Sequence, residues 1–385
     1  MVLNRIIGIV AFALSACLFV VSNSAATLGL VLCTLFIPLA SLLIGHVAAR
    51  RTEISFDHKE STVAGSDMEL RISVSRPAFF RGGIDLAFVR ENALTGAVER
   101  MPVSLAPAMG RPERFSLPLS AACCGKISIS LASCQVKDVF GFYKMPLAHA
   151  SYVSSYCVYP PVSDLAVQTA HADRATSSGA TYDPHRHGQD PTEVFETREY
   201  RDGDSMKAVH WKLSARFADL MVREPSRPTD YDVMVVAYAR NANATEVLNA
   251  TLSLAASVSL AFVREGVCHT FARVGKTGAL DASVVDGREA FEEALEGLVS
   301  APMPGRGGID VELAGAYFAA HGVTKVVLVT DGDDETLFES VSAFVDLSVF
   351  RIGAKGAAGL GGASGYRLAH LPAEDVATRV KCLEL

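Results

Sequence analysis

Two long uncharged apolar runs stand at the head of this chain, and they constrain its fold more than anything that follows. Residues 6–22, IIGIVAFALSACLFVVS, and 27–49, TLGLVLCTLFIPLASLLIGHVAA, hold no Asp, Glu, Lys or Arg. Each is close to the ~20 residues a helix needs to cross the hydrocarbon core of a bilayer. Lipid offers the backbone no hydrogen-bond partners, so such runs fold as helices, and Pro38 is tolerated inside the second. The short polar link NSAAT turns the chain back, which predicts an N-terminal two-helix transmembrane hairpin over residues 1–51. A cleaved signal peptide fits less well. Arg5 alone would form its basic region, no clean cleavage site follows, and a second span comes directly after.

Arg5 precedes the first span, Arg50 and Arg51 follow the second, and the link carries no charge. The positive-inside rule then puts both termini and everything after residue 51 in the cytoplasm, with membrane lipid as the partner of the two helices. The eight cysteines, two of them inside the spans and two adjacent as Cys123 and Cys124, show no CxxC spacing and are expected as reduced thiols rather than as a zinc site. A formal net charge of −7 argues against nucleic acid as a partner, because general binding to it needs a basic face.

From 52 to 162 the texture changes to short runs that alternate apolar and polar residues: MELRISVS (68–75), IDLAFVRE (84–91), RFSLPLS (114–120) and KISISLAS (126–133). Period two means strands with one buried face, and several in succession predict a small β-sandwich-like domain of immunoglobulin-like kind. Residues 163–193 lose all periodicity and read as a linker or exposed loop. His171, His185 and His187 in it are weak metal candidates, since histidines in a polar loop are ordinarily just solvated.

Residues 194–385 read as an α/β domain. DVMVVAYA (232–239) suits a buried parallel strand, and 245–266 suits a long helix capped by Thr245 and ended by Gly266. A strand at 269–275, helices at 288–299 and 310–322, a strand from 324 into the acidic loop at 331–335, a further helix, a strand at 346–353 and a last helix at 374–383 complete the pattern. The 245–266 segment is apolar enough to raise a third span, but its mild Ala- and Ser-rich composition favours a helix packed on a sheet. Alternating strands and helices predict a doubly wound parallel sheet, in which ligands sit at the carboxyl ends of strands. Asp331, Asp333 and Asp334 stand there, either as chemistry or simply as caps of the next helix.

The stretch REYRDGDSMKAVHWKLSAR (198–216) holds the only tryptophan of the chain among basic and acidic residues. RDGD is a turn, Asp204 or Ser205 a helix cap, and SMKAVHWKLSAR about three helical turns, with Met206, Val209 and Leu213 on one face and Lys207, His210 and Ser214 on another. That second face, with Arg198, Arg201 and Arg216 nearby, suits an anion or the acidic loop of a partner. The alternative is a structural corner, in which the arginines pair with Glu199, Asp202, Asp204 and Asp219 to lock the segment onto the sheet.

Residues 198–224, REYRDGDSMKAVHWKLSARFADLMVRE, also resemble the signature of a bacterial family known as domain of unknown function 58, R-x-Y-x-x-G-D-x-x-x-x-I-x-W-x-x-S-A-R. Arg198, Tyr200, Gly203, Asp204, Trp211, Ala215 and Arg216 stand at matching positions, and Val209 takes the aliphatic place. VKDVFGFYK (136–144) is similar to the D-x-F-G segment of that family, and VYPPV (158–162) adds support. The resemblance implies a C-terminal von Willebrand factor A-like domain and a non-catalytic, membrane-tethered adaptor in the bacterial inner membrane. It also implies a MoxR-type AAA ATPase as partner, in maturation of other proteins or envelope assembly. Arg201, His210 and Lys212 lie within the same docking segment. Von Willebrand A-like domains often hold a divalent cation through D-x-S-x-S after the first strand, but Ala237, Ala239 and Asn241 stand where those hard oxygen ligands would be. Only Asp331 keeps the later element, so no cofactor is expected and Asp331 and Asp333 are at most weak metal candidates.

Two other classes of function compete with the adaptor. An enzyme would use His210 as base with Ser205 or Ser214 as nucleophile, or the Asp cluster as a metal-dependent hydrolase site. No G-x-S-x-G elbow, P-loop or dinucleotide fingerprint supports it. A sensor of anions or lipid headgroups would use Arg198, Arg201, Lys207, Lys212 and Arg216 together.

Overall fold

The computed structural model describes the whole chain except residues 1, 76, 78–81, 107–112, 148–149, 169–181, 202–208, 218, 229–232, 242–243, 305–307, 354–358, 364, 377–381 and 385. The chain divides into two units, Met1–Tyr159 with Val299–Ala301, and Pro160–Leu298 with Pro302–Leu385.

The first unit begins with two antiparallel helices, α1 (Val2–Ser22) and α2 (Ala25–Arg51), both long and apolar enough to cross a membrane. The turn between them is tighter than the sequence predicts. Only Asn23 and Ser24 lie between the helices, because Asn23 adopts a left-handed φ of 42° and Ser24 Oγ accepts from the Ala26 amide, capping α2. Ser15 Oγ and Thr34 Oγ1 meet across the pair at 3.1 Å. The apolar side chains on the outside, among them Leu3, Ile9, Leu14, Phe36 and Leu43, are exposed, as lipid-facing residues would be.

Among the described residues nine strands follow: β1 (Glu53–Asp57), β2 (Ser61–Val63), β3 (Met68–Ser75), β4 (Ile84–Asn92), β5 (Val98–Leu105), β6 (Glu113–Leu119), β7 (Gly125–Lys137), β8 (Lys144–Pro146) and β9 (Val153–Tyr159). They form one sheet in the order β1-β3-β6 and another in the order β2-β9-β7-β4-β5, with β8 beside β7. Alternation decides which residues enter the core. Met68, Leu70, Ile72 and Val74 of β3 are buried while Glu69 and Arg71 face outward. They join Leu86 and Phe88 of β4 and Ile127 and Ile129 of β7 in one cluster, so the two sheets share a core. Ala48 and Ala49, from the last turn of α2, belong to that cluster too. Each fully buried Leu, Ile or Phe stabilises the unit by about 1.5–3 kcal/mol.

The second unit contains β10 (Ala166–Gln168), β11 (Tyr182–Glu199), α3 (Trp211–Phe217), β12 (Met221–Pro228), β13 (Val233–Tyr238), α4 (Thr245–Arg264), β14 (His269–Val274), β15 (Leu280–Val285), α5 (Arg288–Ser300), α6 (Val311–His321), β16 (Lys325–Thr330), α7 (Glu335–Ser342), β17 (Asp346–Gly353), β18 (Gly359–Ala363), β19 (Tyr366–Pro372) and β20 (Cys382–Glu384). Seven strands make the main sheet in the order β15-β14-β13-β16-β17-β19-β18. Its five inner strands are parallel and both edge strands antiparallel. β13 and β16, buried at every position, form its centre. α4 lies in this core, with 78% of its most apolar window buried, although it too is long and apolar enough to span a membrane.

Several expectations need correction. Residues 163–193 are not simply a linker: β10 pairs in parallel with β20, and β11 pairs antiparallel with β12 from Tyr182 onward. The strand partner, rather than any local period, defines these segments. Of the helix predicted at 374–383, the described residues show a 3-10 turn at Ala373–Asp375, a helical Val376 and the strand β20 from Cys382, while 377–381 lie outside the described residues. Thr245 does not cap α4; the cap position is Ala244, without a side-chain bond, and Thr245 is the first helical residue. Gly266 does end α4, in a left-handed conformation with φ 72°.

Candidate functional site

The signature segment is a clasp between two strands. Arg198, near the end of β11, lies opposite Val222 of β12. The Tyr200 amide donates to the Leu220 carbonyl (2.7 Å), and the His210 amide donates to the Met221 carbonyl (2.7 Å). Val209 forms an isolated antiparallel bridge with Val222 and is buried. The helix predicted from residue 205 is interrupted at Val209 and His210, which are drawn to β12, and the described helix is Trp211–Phe217. Ser205, Met206, Lys207, Gly203 and Asp204 lie outside the described residues.

His210 and Ser214 close the corner by bonding main chain. His210 Nδ1 accepts from the Leu213 amide (3.3 Å), at the start of α3. Ser214 is buried; its Oγ donates to the His210 carbonyl (3.1 Å) and accepts from the Met221 amide (2.8 Å). Ser214, expected on one face with Lys207 and His210, does not offer its hydroxyl to a ligand, since that hydroxyl ties α3 to β12; Lys207 lies outside the described residues. The opposite side of α3 presents Lys212, Ala215 and Arg216 to solvent, together with Trp211, which is 60% exposed. Arg201 is exposed as well. Trp211, Lys212, Ala215 and Arg216 therefore share a short outward helix, while Arg198, Tyr200 and His210 belong to the strand-bound frame beneath it.

The second place the sequence singles out is the carboxyl end of β13 and β16, where the sheet order reverses. Asp331 Oδ1 and Oδ2 accept from the amides of Arg240 (2.7 Å) and Asn241 (2.9 Å), latching the turn after β13. Asp334 caps α7, accepting from the Thr336 hydroxyl (2.7 Å) and the Leu337 amide (3.3 Å), and these two bonds, the hydroxyl first, lower its pKa. Asp333 pairs with Arg351 at 3.4 Å. Each of the three carboxylates thus has a partner from the fold. Among the described residues no group of three or more His, Cys, Asp or Glu side chains is brought together. Asp331 was not legible as a latch, because the amides it holds are ninety positions or more away.

A buried Ser–His pair inside the second unit is invisible in the sequence. Ser259 on α4 and His269 on β14 are both fully buried, with Oγ and Nε2 2.7 Å apart. His269 Nδ1 faces the Val267 carbonyl at 3.1 Å. A carbonyl only accepts, so Nδ1 carries the proton and Nε2 accepts from Ser259. Burial pushes the imidazole pKa down to about 4, against a smaller upward pull from that carbonyl. A shallow depression between β14, β15 and α5 is lined by residues including Phe271, Arg273, Asp281 and Glu293, and neither His210 nor Ser214 borders it.

The geometry defines a class: a protein with two apolar N-terminal helices, a two-sheet β domain, and a mainly parallel α/β sheet preceded by a strand–helix–strand clasp. Residues 196–337 match the model of the family described as "Protein of unknown function DUF58", a span running from the end of β11 into α7. The chain resembles that family over the clasp and the first half of the α/β sheet. None of the curated proteins matches it. Among solved structures, a β-glucosidase from Listeria innocua is 9% identical over 28% of this chain, with a TM-score of 0.20. The chain covers 16% of the length of that enzyme. A cohesin module of a family 33 glycoside hydrolase from Clostridium perfringens is 10% identical over 28% of this chain and 97% of its own, TM-score 0.20. The CARDB domain of the PF1109 protein from Pyrococcus furiosus is 14% identical over 28% and 89%, TM-score 0.18. Likeness this slight carries no assignment of fold or activity.

Proposed function

We propose that this protein is a membrane-anchored, non-catalytic adaptor whose α/β unit, von Willebrand A-like in kind, docks a partner protein, namely a MoxR-type AAA ATPase of the bacterial inner membrane. In this reading the hairpin crosses the membrane twice and both termini and soluble units are cytoplasmic. The observation that carries the docking role is the outward side of α3: a tryptophan 60% exposed beside Lys212 and Arg216, held by an inward side fastened to β12. Tryptophan and arginine are the residues that most often anchor protein interfaces, and a frame that fixes them in advance lowers the entropic cost of binding. The commitment of the Ser214 hydroxyl to main chain, and of Asp331 and Asp334 to backbone amides, supports an adaptor over a hydrolase.

The test is co-purification of the full-length protein, in detergent, with the AAA ATPase, comparing wild type with a Trp211→Ala/Arg216→Ala variant that melts like wild type. Capture by the wild type and loss in the variant is the expected result. Equal capture by both would remove α3 from the docking role, and failure of the wild type to bind the ATPase would overturn the adaptor.

A further inference from the structure

The Asp138–Phe142 turn, DVFGF, is attached to the helical hairpin rather than only to the β domain that carries it. Asn4 Nδ2 donates to the Phe140 carbonyl (2.8 Å), and Arg5 Nε donates to the Phe142 carbonyl (2.7 Å). Ser41 Oγ donates to Asp138 Oδ2 (2.7 Å), and the Tyr143 amide donates to Asp138 Oδ1 (2.7 Å). The Arg5 guanidinium lies 5.8 Å from the centre of the Tyr143 ring. A Cβ on Gly8 would stand 3.2 Å from the Phe142 ring, so a glycine in α1 admits that ring. Gly141, at φ 70°, gives the turn its sharp return.

These contacts set the depth of the turn. Arg5 is the last charged residue before the uncharged run, so it marks where α1 enters lipid. Counting ten residues each way from the Ser15–Thr34 contact brings Arg5 opposite Ile44, and three residues further in, Gly8 opposite Ser41. Phe142 and Asp138 touch those two inner positions, about 4.5 Å beyond Arg5 at the helical rise. The turn therefore lies at the level where headgroups give way to acyl chains. Its polar groups suit that depth: two main-chain carbonyls are satisfied by side chains of α1, and the Asp138 carboxylate, 3% exposed, by a hydroxyl of α2 and an amide. At its tip stand Val139 and Phe140, 50% and 52% exposed.

We propose that Val139 and Phe140 insert into the lipid interface beside α1, making this turn a membrane seat that fixes the β domain against the bilayer instead of leaving it on a tether. The proposal rests on the transmembrane reading of α1 and α2. Apolar and aromatic side chains are stabilised at that level, and Arg5 beside them matches anionic headgroups.

Trp211 is the only tryptophan, so a Trp211→Phe background is optically silent and single tryptophans can be placed in the full-length protein in phosphatidylcholine vesicles. Three are compared: Phe140→Trp at the turn, Leu14→Trp on the lipid-facing side of α1, and Val98→Trp on the exposed edge strand β5. The expected result is that Phe140→Trp emits to the blue of Val98→Trp. It should also lose fluorescence to lipids brominated near the headgroup more than to lipids brominated deep in the chain, whereas Leu14→Trp responds most to the deep bromines. If Leu14→Trp is quenched by lipid while Phe140→Trp is quenched only by an aqueous quencher, as Val98→Trp is, the seat is refuted and the hairpin stands. If Leu14→Trp is not quenched by lipid either, the transmembrane reading falls, and the proposal with it.

Discussion

The buried Ser259–His269 pair makes the second unit sensitive to mild acid, by an amount that can be worked from the structure. The His269 pKa is about 4 in the folded chain against an ordinary 6.5. The fold binds the neutral ring, so the full stability is present above pH 6.5 and is lost as pH falls from 6.5 towards 4. At pH 5 the unfolded chain is almost fully protonated at this ring and the folded one hardly at all, which removes about 2 kcal/mol; below pH 4 the loss levels off at about 3 kcal/mol. The perturbation that isolates this effect is Ser259→Ala/His269→Leu, which removes the titrating ring and its hydroxyl partner together. The assay is hydrogen exchange of α4 and β14 peptides in the full-length protein, corrected for intrinsic rates, at pH 7 and pH 5. Wild type should lose about 2 kcal/mol more opening free energy than the double variant over that interval. Parallel losses in both proteins would refute the burial of a neutral imidazole at His269.

Two substitutions probe the fold around the candidate site and the β domain. Asp331→Ala removes the carboxylate that holds the Arg240 and Asn241 amides, and is expected to cost roughly 1–3 kcal/mol and to raise exchange in the turn after β13 while leaving the β domain unchanged; an unchanged exchange pattern there would discount the latch. Gly125→Ala forces a side chain onto φ 138° and into Asn92, whose side chain caps the turn after β4, and should destabilise the first unit by about 1–3 kcal/mol in denaturant melts, whereas Gly65→Ala, with open space around it, suffers only the strain of its own positive φ.

Much of this architecture is legible in the sequence, and what is not has a common cause. The hairpin shows because an uncharged run is a one-dimensional property. β3 shows because Met68, Leu70, Ile72 and Val74 alternate with polar residues. β13 and β16 show because strands buried on both faces are apolar throughout. By contrast, β18 is written GLGGA, with almost no side chains to carry a period, and β15 is a short antiparallel edge whose buried and exposed residues do not repeat cleanly. β11 is specified by β12 across the clasp, and the same long-range pairing takes Val209 out of the helix that local spacing assigns it to. In the candidate site, residue identities single out Trp211 and Arg216 but not their exposure, because which side of α3 is free depends on Ser214 reaching the Met221 amide, a contact that no spacing rule predicts.

The helix α2 has 27 residues and so a length of about 40 Å, longer than the ~30 Å of hydrocarbon it would cross. Its surplus ends as Ala48 and Ala49 in the core of the β domain, with no loop between. If α2 crosses the bilayer as proposed, it is a lever with one arm in lipid and the other mortised into protein. A thinner membrane that makes α2 lean would swing the whole β domain by the same angle, and a thicker one would raise it upright, so membrane thickness becomes a mechanical input to this fold.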